Sequence, residues 1–126
     1  MRAVDTNVLV RLISRDDDRQ VRLAENFVSL GAWVSLLVLV ESVWVLDAVL
    51  GLAPARIATA IDMLLNHAHL TLQDADTVTA ALDHYRARPA SGFSDCLLLE
   101  SARKAGHLPL GTFDRDLARL AGTQRL

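Results

Sequence analysis

The chain has 126 residues, of which 52% are hydrophobic and 22% charged, so it can form one folded domain over residues 1–126 and is not disordered. Its net charge of −2 at pH 7 argues against a protein that grips duplex DNA through bulk positive charge, although local contacts with phosphates stay open. A single cysteine, Cys96, excludes an intramolecular disulfide and a cysteine-rich metal site.

The N-terminus gives the first predicted elements and an expectation about location. An apolar opening over 2–4 meets Asp5, Thr6 and Asn7, a polar cluster typical of a strand end or a helix cap. The acid comes too early for a signal peptide, and the longest apolar run, 32–40, is too short to cross a bilayer. We therefore expect a cytoplasmic protein.

Helical patterns then alternate with short apolar runs. Asp17 and Gln20 are spaced as a capping box at the start of a helix that continues to Gly31. The patterns next predict a strand over 32–36, an apolar helix over 37–50, a helix over 54–66, a strand over 70–72 and a helix over 74–88.

The last third of the chain continues the alternation. After a loop over 90–92, Ser94 is expected to cap a helix over 95–105, and a strand over 108–110, a short helix over 114–120 and an edge strand over 124–126 follow. Short strands alternating with helices predict an α/β fold with a mostly parallel central sheet.

Five acidic residues fall near the carboxyl ends of predicted strands or at helix starts: Asp5, Glu41, Asp95, Asp114 and Asp116. Because ligands of an open parallel sheet bind outside the carboxyl ends of its strands, we expect the fold to bring these side chains together. Each also has a plainer explanation. Asp5 can cap a helix, Asp95 can be a favourable first-turn anion, and Asp114 can cap a turn beside a solvated Asp116.

Glu41 differs because it interrupts an apolar segment, 38–45. A polar side chain that faces a core is expensive to bury, so we favour a carboxylate kept in an apolar setting because something binds it. The alternative is that Glu41 emerges on the solvent side of its helix.

Several neighbouring carboxylates repel one another unless a cation compensates. Oxygen ligands suit Mg²⁺ or Mn²⁺, which could polarise a phosphoryl group and generate a hydroxide nucleophile, so these residues favour a phosphodiesterase. Metal-independent RNA cleavage would need two histidines. His67 and His69 straddle a helix end, while His84 and His107 stand alone, so surface positions explain them better. Cys96 is better explained as a small buried helix residue than as a nucleophile.

Four motifs occur in order at compatible spacing: VDTNVL at 4–9, Glu41 before VWVL at 43–46, FSDCLL at 93–98 and GTFDRD at 111–116. Each alone is weak, but together they resemble a PIN domain, and more narrowly a VapC-type toxin of a bacterial toxin–antitoxin pair. The resemblance covers the whole chain. It implies a three-layer α/β/α PIN-like domain with a short, mostly parallel central sheet.

The resemblance also assigns roles to individual residues. Asp5, Glu41, Asp95 and Asp114 match the four acids that bind Mg²⁺ or Mn²⁺ for RNA hydrolysis. The expected direct ligands are Asp5, Asp95 and Asp114, whereas Glu41 binds the metal or orients a coordinated water. Asp116 matches a position that is often acidic and is a further possible ligand. Three polar residues match positions that support the carboxylates or the backbone turns: Asn7, Ser94 and Thr112.

By the same resemblance we expect an endoribonuclease that cuts transfer or ribosomal RNA and leaves a 3′-hydroxyl and a 5′-phosphate. It would have a cognate VapB-type antitoxin and form a homodimer. Apolar surface on the helices holding 40–49 and 57–65 agrees with a protein partner. The alternative is that each is a fully buried core helix, which explains the first segment equally well and the second better. Arg86, Arg88 and Ser91 lie in the approach to the Asp95 motif and are candidates for contact with RNA phosphates, although a solvated helix end explains them at least as well.

Functions of other classes stay open. One alternative is a non-catalytic PIN-like module that binds protein or RNA, and another is a structure-specific DNA nuclease, because two-metal chemistry does not need a 2′-hydroxyl. A phosphatase of the haloacid-dehalogenase type would want an acid where Asn7 stands. A receiver domain would need a lysine at a strand end, but the only lysine, Lys104, falls late in a helix.

Overall fold

The computed structural model describes all residues from 1 to 126, and its backbone divides into two compact units, Met1–Ala75 and Asp76–Leu126. The expectation of a single domain over 1–126 stays a prediction. None of the helices combines the length and hydropathy that a membrane span needs.

The first unit is built around a three-stranded parallel sheet in the order β1-β2-β3, in which Ala32 of the central strand lies between Arg2 and Leu70. Helices connect the strands, as parallel pairing requires. The elements are β1 (Arg2–Ala3), α1 (Thr6–Ser14), α2 (Asp18–Val28), β2 (Ala32–Val34), α3 (Leu36–Trp44) with a π-helical turn (Val45–Val49), α4 (Pro54–Leu65) and β3 (Leu70–Leu72).

Side-chain caps fix where several of these elements begin. The Asp5 and Asp17 carboxylates accept hydrogen bonds from the first turns of α1 and α2, which confirms both predicted helix starts. Ser35 caps α3 in the same way, its hydroxyl oxygen accepting from the Val38 amide at 3.1 Å. Because Ser35 already belongs to the helix cap, β2 ends at Val34, two residues before the predicted end.

The second unit holds a two-stranded parallel sheet, in which Leu110 pairs with Thr123 and Thr112 pairs with Arg125. Its elements are α5 (Ala75–Ala87, which begins at the last residue of the first unit), a 3₁₀ turn (Pro89–Ser91), α6 (Phe93–Ala105), β4 (Leu110–Thr112), a second 3₁₀ turn (Leu117–Arg119) and β5 (Thr123–Arg125).

Each unit buries large apolar side chains. The most deeply buried in the first unit are Leu9, Leu39, Leu46, Ile57, Ile61 and Leu64. Those of the second unit are Val78, Leu82, Cys96 and Leu99. The burial of Cys96 confirms its interpretation as a small core residue of α6.

The α/β class is confirmed, since six helices and short parallel strands are consistent with a three-layer α/β/α PIN-like fold. The strands form two parallel sheets, β1-β2-β3 and β4-β5. Three local predictions were wrong. The strand expected over 108–110 lies at Leu110–Thr112, since Pro109 has no amide hydrogen for a ladder. The helix expected over 114–120 is only a 3₁₀ turn.

The third error concerns Ser94, which was expected to cap α6. The helix begins at Phe93, and its N-cap is Gly92, whose φ of +74° suits glycine. Ser94 therefore lies exposed within the first turn and caps nothing.

Candidate metal centre

Asp5 lies two residues after β1, where it is exposed and its backbone is extended. Its Oδ1 accepts a hydrogen bond from the Val8 amide at 3.1 Å, so the helix-cap explanation is confirmed. This bond also fixes the direction of the carboxylate. A second role as a metal ligand stays a prediction.

Glu41 lies in the middle of α3 and is exposed, so the expectation of a carboxylate in an apolar setting was wrong. Leu37 and Trp44 are also exposed and lie on the same helix face, while Leu39 and Ser42 are buried. The helix is apolar on nearly every side, and its sequence therefore did not reveal which face points inward.

Glu41 is nevertheless held close to the start of α1. The hydroxyl of Thr6, the residue after Asp5, donates a hydrogen bond of 2.7 Å to Glu41 Oε2. This hydrogen bond joins two acidic segments of the first unit that are 35 residues apart in sequence. The sequence analysis identified Thr6 only as part of a polar cluster, and its contact with Glu41 adds it to the candidate site.

A groove of about 390 Å³ lies beside Asp5, between α1 and α2. Asp5 and Asn7 line it together with apolar side chains that include Leu23 and Phe27. Asn7 is exposed and makes no hydrogen bond to Asp5, so its supporting role stays a prediction.

Asp95 and Asp114 form a carboxylate pair within the second unit. Asp95 lies in the first turn of α6 and is half-buried. Burial raises the pKa of Asp95, and the negative charge of Asp114 raises it further. The structure therefore brings these two predicted ligands close enough to repel each other.

Asp114 makes one hydrogen bond through its backbone amide and another through its carboxylate. Its amide donates to Thr112 Oγ1 at 3.0 Å, and its Oδ1 accepts from the Leu117 amide at 2.9 Å. The Thr112 contact agrees with the supporting role expected for this threonine. Asp116 is half-buried and begins the 3₁₀ turn without a capping bond.

The donor chemistry of these acids fits Mg²⁺ or Mn²⁺, because each offers carboxylate oxygens, the ligands that these ions prefer. A cation would also relieve the repulsion that raises the pKa of Asp95. No group of three or more histidine, cysteine, aspartate or glutamate side chains is arranged to hold an ion. The convergence of all four acids therefore stays a prediction.

Sequence reasoning missed a polar cluster on α5 and α6. Glu100 is only 8% exposed, and its Oε1 lies 2.6 Å from Nε2 of His84, which had been interpreted as standing alone. Arg103 Nε donates to both Glu100 oxygens, at 3.3 and 3.2 Å. A charged residue directly after Leu97, Leu98 and Leu99 was the signal that could have found the cluster.

The candidates for contact with RNA differ in exposure. Arg86 and Arg88, at the end of α5 and just beyond it, are exposed. Ser91 is only 2% exposed and so was a wrong candidate. The arginine contacts stay predictions.

Comparison with protein families matches the PIN domain over residues 2–123, and the chain belongs to the PIN domain family. Membership indicates nuclease activity and a nucleic-acid substrate, since PIN domains are usually nucleases that depend on divalent metal ions. A search of curated proteins found no match.

Proposed function

We propose that this chain is a Mg²⁺- or Mn²⁺-dependent endoribonuclease, the toxin of a type II toxin–antitoxin pair, acting through Asp5, Glu41, Asp95 and Asp114. The observation that carries the proposal is the Asp95–Asp114 pair. Two neighbouring carboxylates, one of them with a raised pKa, favour a cation in a family whose members usually need one. The family match spans both units, which supports a role for the acids of each.

Each acid has a task in this proposal. A bound ion would polarise the phosphoryl group and activate water. Asp5, Asp95 and Asp114 would hold it, and Asp116 is a further candidate ligand. Glu41, oriented by the Thr6 hydroxyl, would bind the metal or orient a water.

The decisive experiment incubates the purified chain with total cellular RNA in Mg²⁺ or Mn²⁺ and maps the new ends. We expect discrete cuts in transfer or ribosomal RNA with 5′-phosphate ends, lost in EDTA and in Asp95→Asn. Asp83→Asn is the matched control, because Asp83 is an exposed aspartate of the same unit and has no assigned role. Cutting that survives both EDTA and Asp95→Asn would contradict the proposed mechanism.

Matched RNA and DNA oligonucleotides separate the alternatives. Cleavage of structured DNA but not of RNA would identify a DNA nuclease. Metal binding without cleavage of either substrate would favour a non-catalytic module.

The proposal includes a VapB-type antitoxin and a second copy of the chain as partners. Large apolar side chains left exposed in the first unit support a protein contact: Leu37 at 67%, Trp44 at 63% and Val49 at 63%. We expect a dimeric mass in light scattering. We also expect the product of an adjacent small reading frame to bind the chain and to stop RNA cleavage.

A further inference from the structure

Arg103 joins α6 to the strand pair of the second unit. Its Nε donates to the Glu100 carboxylate, and its Nη2 donates to the backbone oxygen of Ala121 at 2.8 Å. Because Glu100 is nearly buried and also contacts His84, the guanidinium is anchored from the helix side. One side chain therefore ties α6 to the segment that immediately precedes β5.

The packing at that segment is close. Gly122 adopts a φ of +94°, and a Cβ at this position would lie 3.0 Å from Arg103 Nη2. The Gly122 backbone oxygen in turn accepts from the Leu110 amide at 2.9 Å, at the start of β4. The absence of a side chain at Gly122 thus lets the guanidinium approach the backbone where β5 joins β4.

The strand pair leads directly to Asp114. Thr112 ends β4, its backbone oxygen accepts from the Leu126 amide at 2.9 Å, and its hydroxyl oxygen accepts from the Asp114 amide. Contacts therefore run without a gap from Glu100 through Arg103, Ala121 and the strand pair to Asp114, all within one unit.

This connection bears on the two carboxylates because they repel each other. Asp95 is on the same helix as Arg103, whereas Asp114 is beyond β4. The hydrogen bonds of Arg103 to Glu100 and to the Ala121 oxygen link the helix that carries Asp95 to the strand pair that precedes and follows Asp114. We propose that Arg103 is a positioning residue that holds the β4–β5 pair, and with it Asp114, against the helix that carries Asp95. The consequence for metal binding rests on the proposed function.

A lysine cannot fully replace this arginine. The planar guanidinium can serve Glu100 and the Ala121 oxygen at the same time, with Nε donating to one and Nη2 to the other. A lysine ammonium has the charge but not the fixed fork. Removing the side chain also leaves Glu100 buried beside His84 alone, so Arg103→Lys is the variant that guards against simple misfolding.

The test uses the full chain as wild type, Arg103→Ala, Arg103→Lys and Arg119→Ala. The last is the matched control, since Arg119 is an exposed arginine of the same unit. The first readout is amide hydrogen exchange without metal. We expect faster exchange at Leu110 and Leu126 in Arg103→Ala, a smaller change in Arg103→Lys, and none in Arg119→Ala.

The second readout is the affinity for Mn²⁺, measured by electron paramagnetic resonance of the free ion. We expect Arg103→Ala to bind about tenfold more weakly, the usual effect of losing a residue that orients metal ligands, and Arg119→Ala to bind as wild type does. Arg103→Lys should fall between them.

The outcomes separate this inference from the proposed function. If Arg103→Ala lowers only thermal stability, and its exchange and Mn²⁺ affinity match those of wild type, the positioning role is overturned. If wild type binds no Mn²⁺, the proposed function fails, and the exchange rates alone decide whether Arg103 holds the strand pair.

Discussion

Substitution of Asp5 separates its observed role as a helix cap from its proposed role as a metal ligand. Alanine removes the bond from the Val8 amide, a loss of about 1 kcal/mol for an N-cap. For a chain of this length, unfolding entropy is about 0.26 kcal/mol/K, so Tm should fall by about 4 °C. Asn can accept the same bond, so Asp5→Asn should keep a Tm near that of wild type. Without the negative charge, however, its RNA cleavage should fall by about a hundredfold or more.

Asp17 is the matched control, because its Oδ1 accepts from the Gln20 amide at 3.0 Å in the same geometry, at the start of α2. Asp17→Ala should lose about as much Tm as Asp5→Ala and keep its cleavage rate. The assay is circular dichroism for Tm, with initial cleavage rates in Mn²⁺ well below the lowest Tm. If Asp5→Asn cleaves RNA like wild type, Asp5 is a helix cap only, and its assignment as a metal ligand is wrong.

Three further predictions concern the second unit. The pKa of Asp95 is higher in the folded chain than its value of 3.8 in the unfolded chain. The protonated carboxyl therefore stabilises the folded state fully below pH 3.8, and this contribution is lost as the pH rises through the folded-state pKa. Asp95→Asn should therefore unfold at higher denaturant concentration than wild type in EDTA at pH 7, and this advantage should shrink towards pH 3.8; an equal midpoint at pH 7 would contradict it. Mn²⁺ at a hundred times its dissociation constant should raise the wild-type Tm by about 10 °C, and EDTA should reverse this, whereas Asp95→Asn should gain little. Burial raises the pKa of the Cys96 thiol to about 11, so a thiol reagent at pH 8 should label the chain only after unfolding; labelling of the folded chain would refute this.

Local signals in the sequence were enough for most elements. Caps at Asp5 and Asp17, and Pro54 at the start of α4, depend on interactions within one helical turn, and the structure has them where they were expected. The strand over 70–72 agrees residue for residue, because its alternating apolar and polar side chains predict the buried–exposed–buried pattern that the structure has.

The errors arise where the answer depends on a distant partner. The α3 sequence is too uniformly apolar to indicate which helix face points inward, so the exposure of Glu41 could be found only from the packed structure. His84 and Glu100 are on different helices, and nothing local to either one predicts their contact. Ser94 was expected as a cap by residue type, but Gly92, with its positive φ, is the N-cap, and the helix starts two residues earlier than expected.

Asp5 and Asp114 share a local design, although they lie in different units. Each lies two residues after the end of its strand. Each Oδ1 accepts a hydrogen bond from the backbone amide three residues further along, Val8 for Asp5 and Leu117 for Asp114. The backbone therefore fixes the direction of both carboxylates before any ion arrives, so binding an ion would require little ordering of these side chains. The same bonds explain why aspartate-to-asparagine changes are the informative ones here: they keep the geometry and remove only the charge.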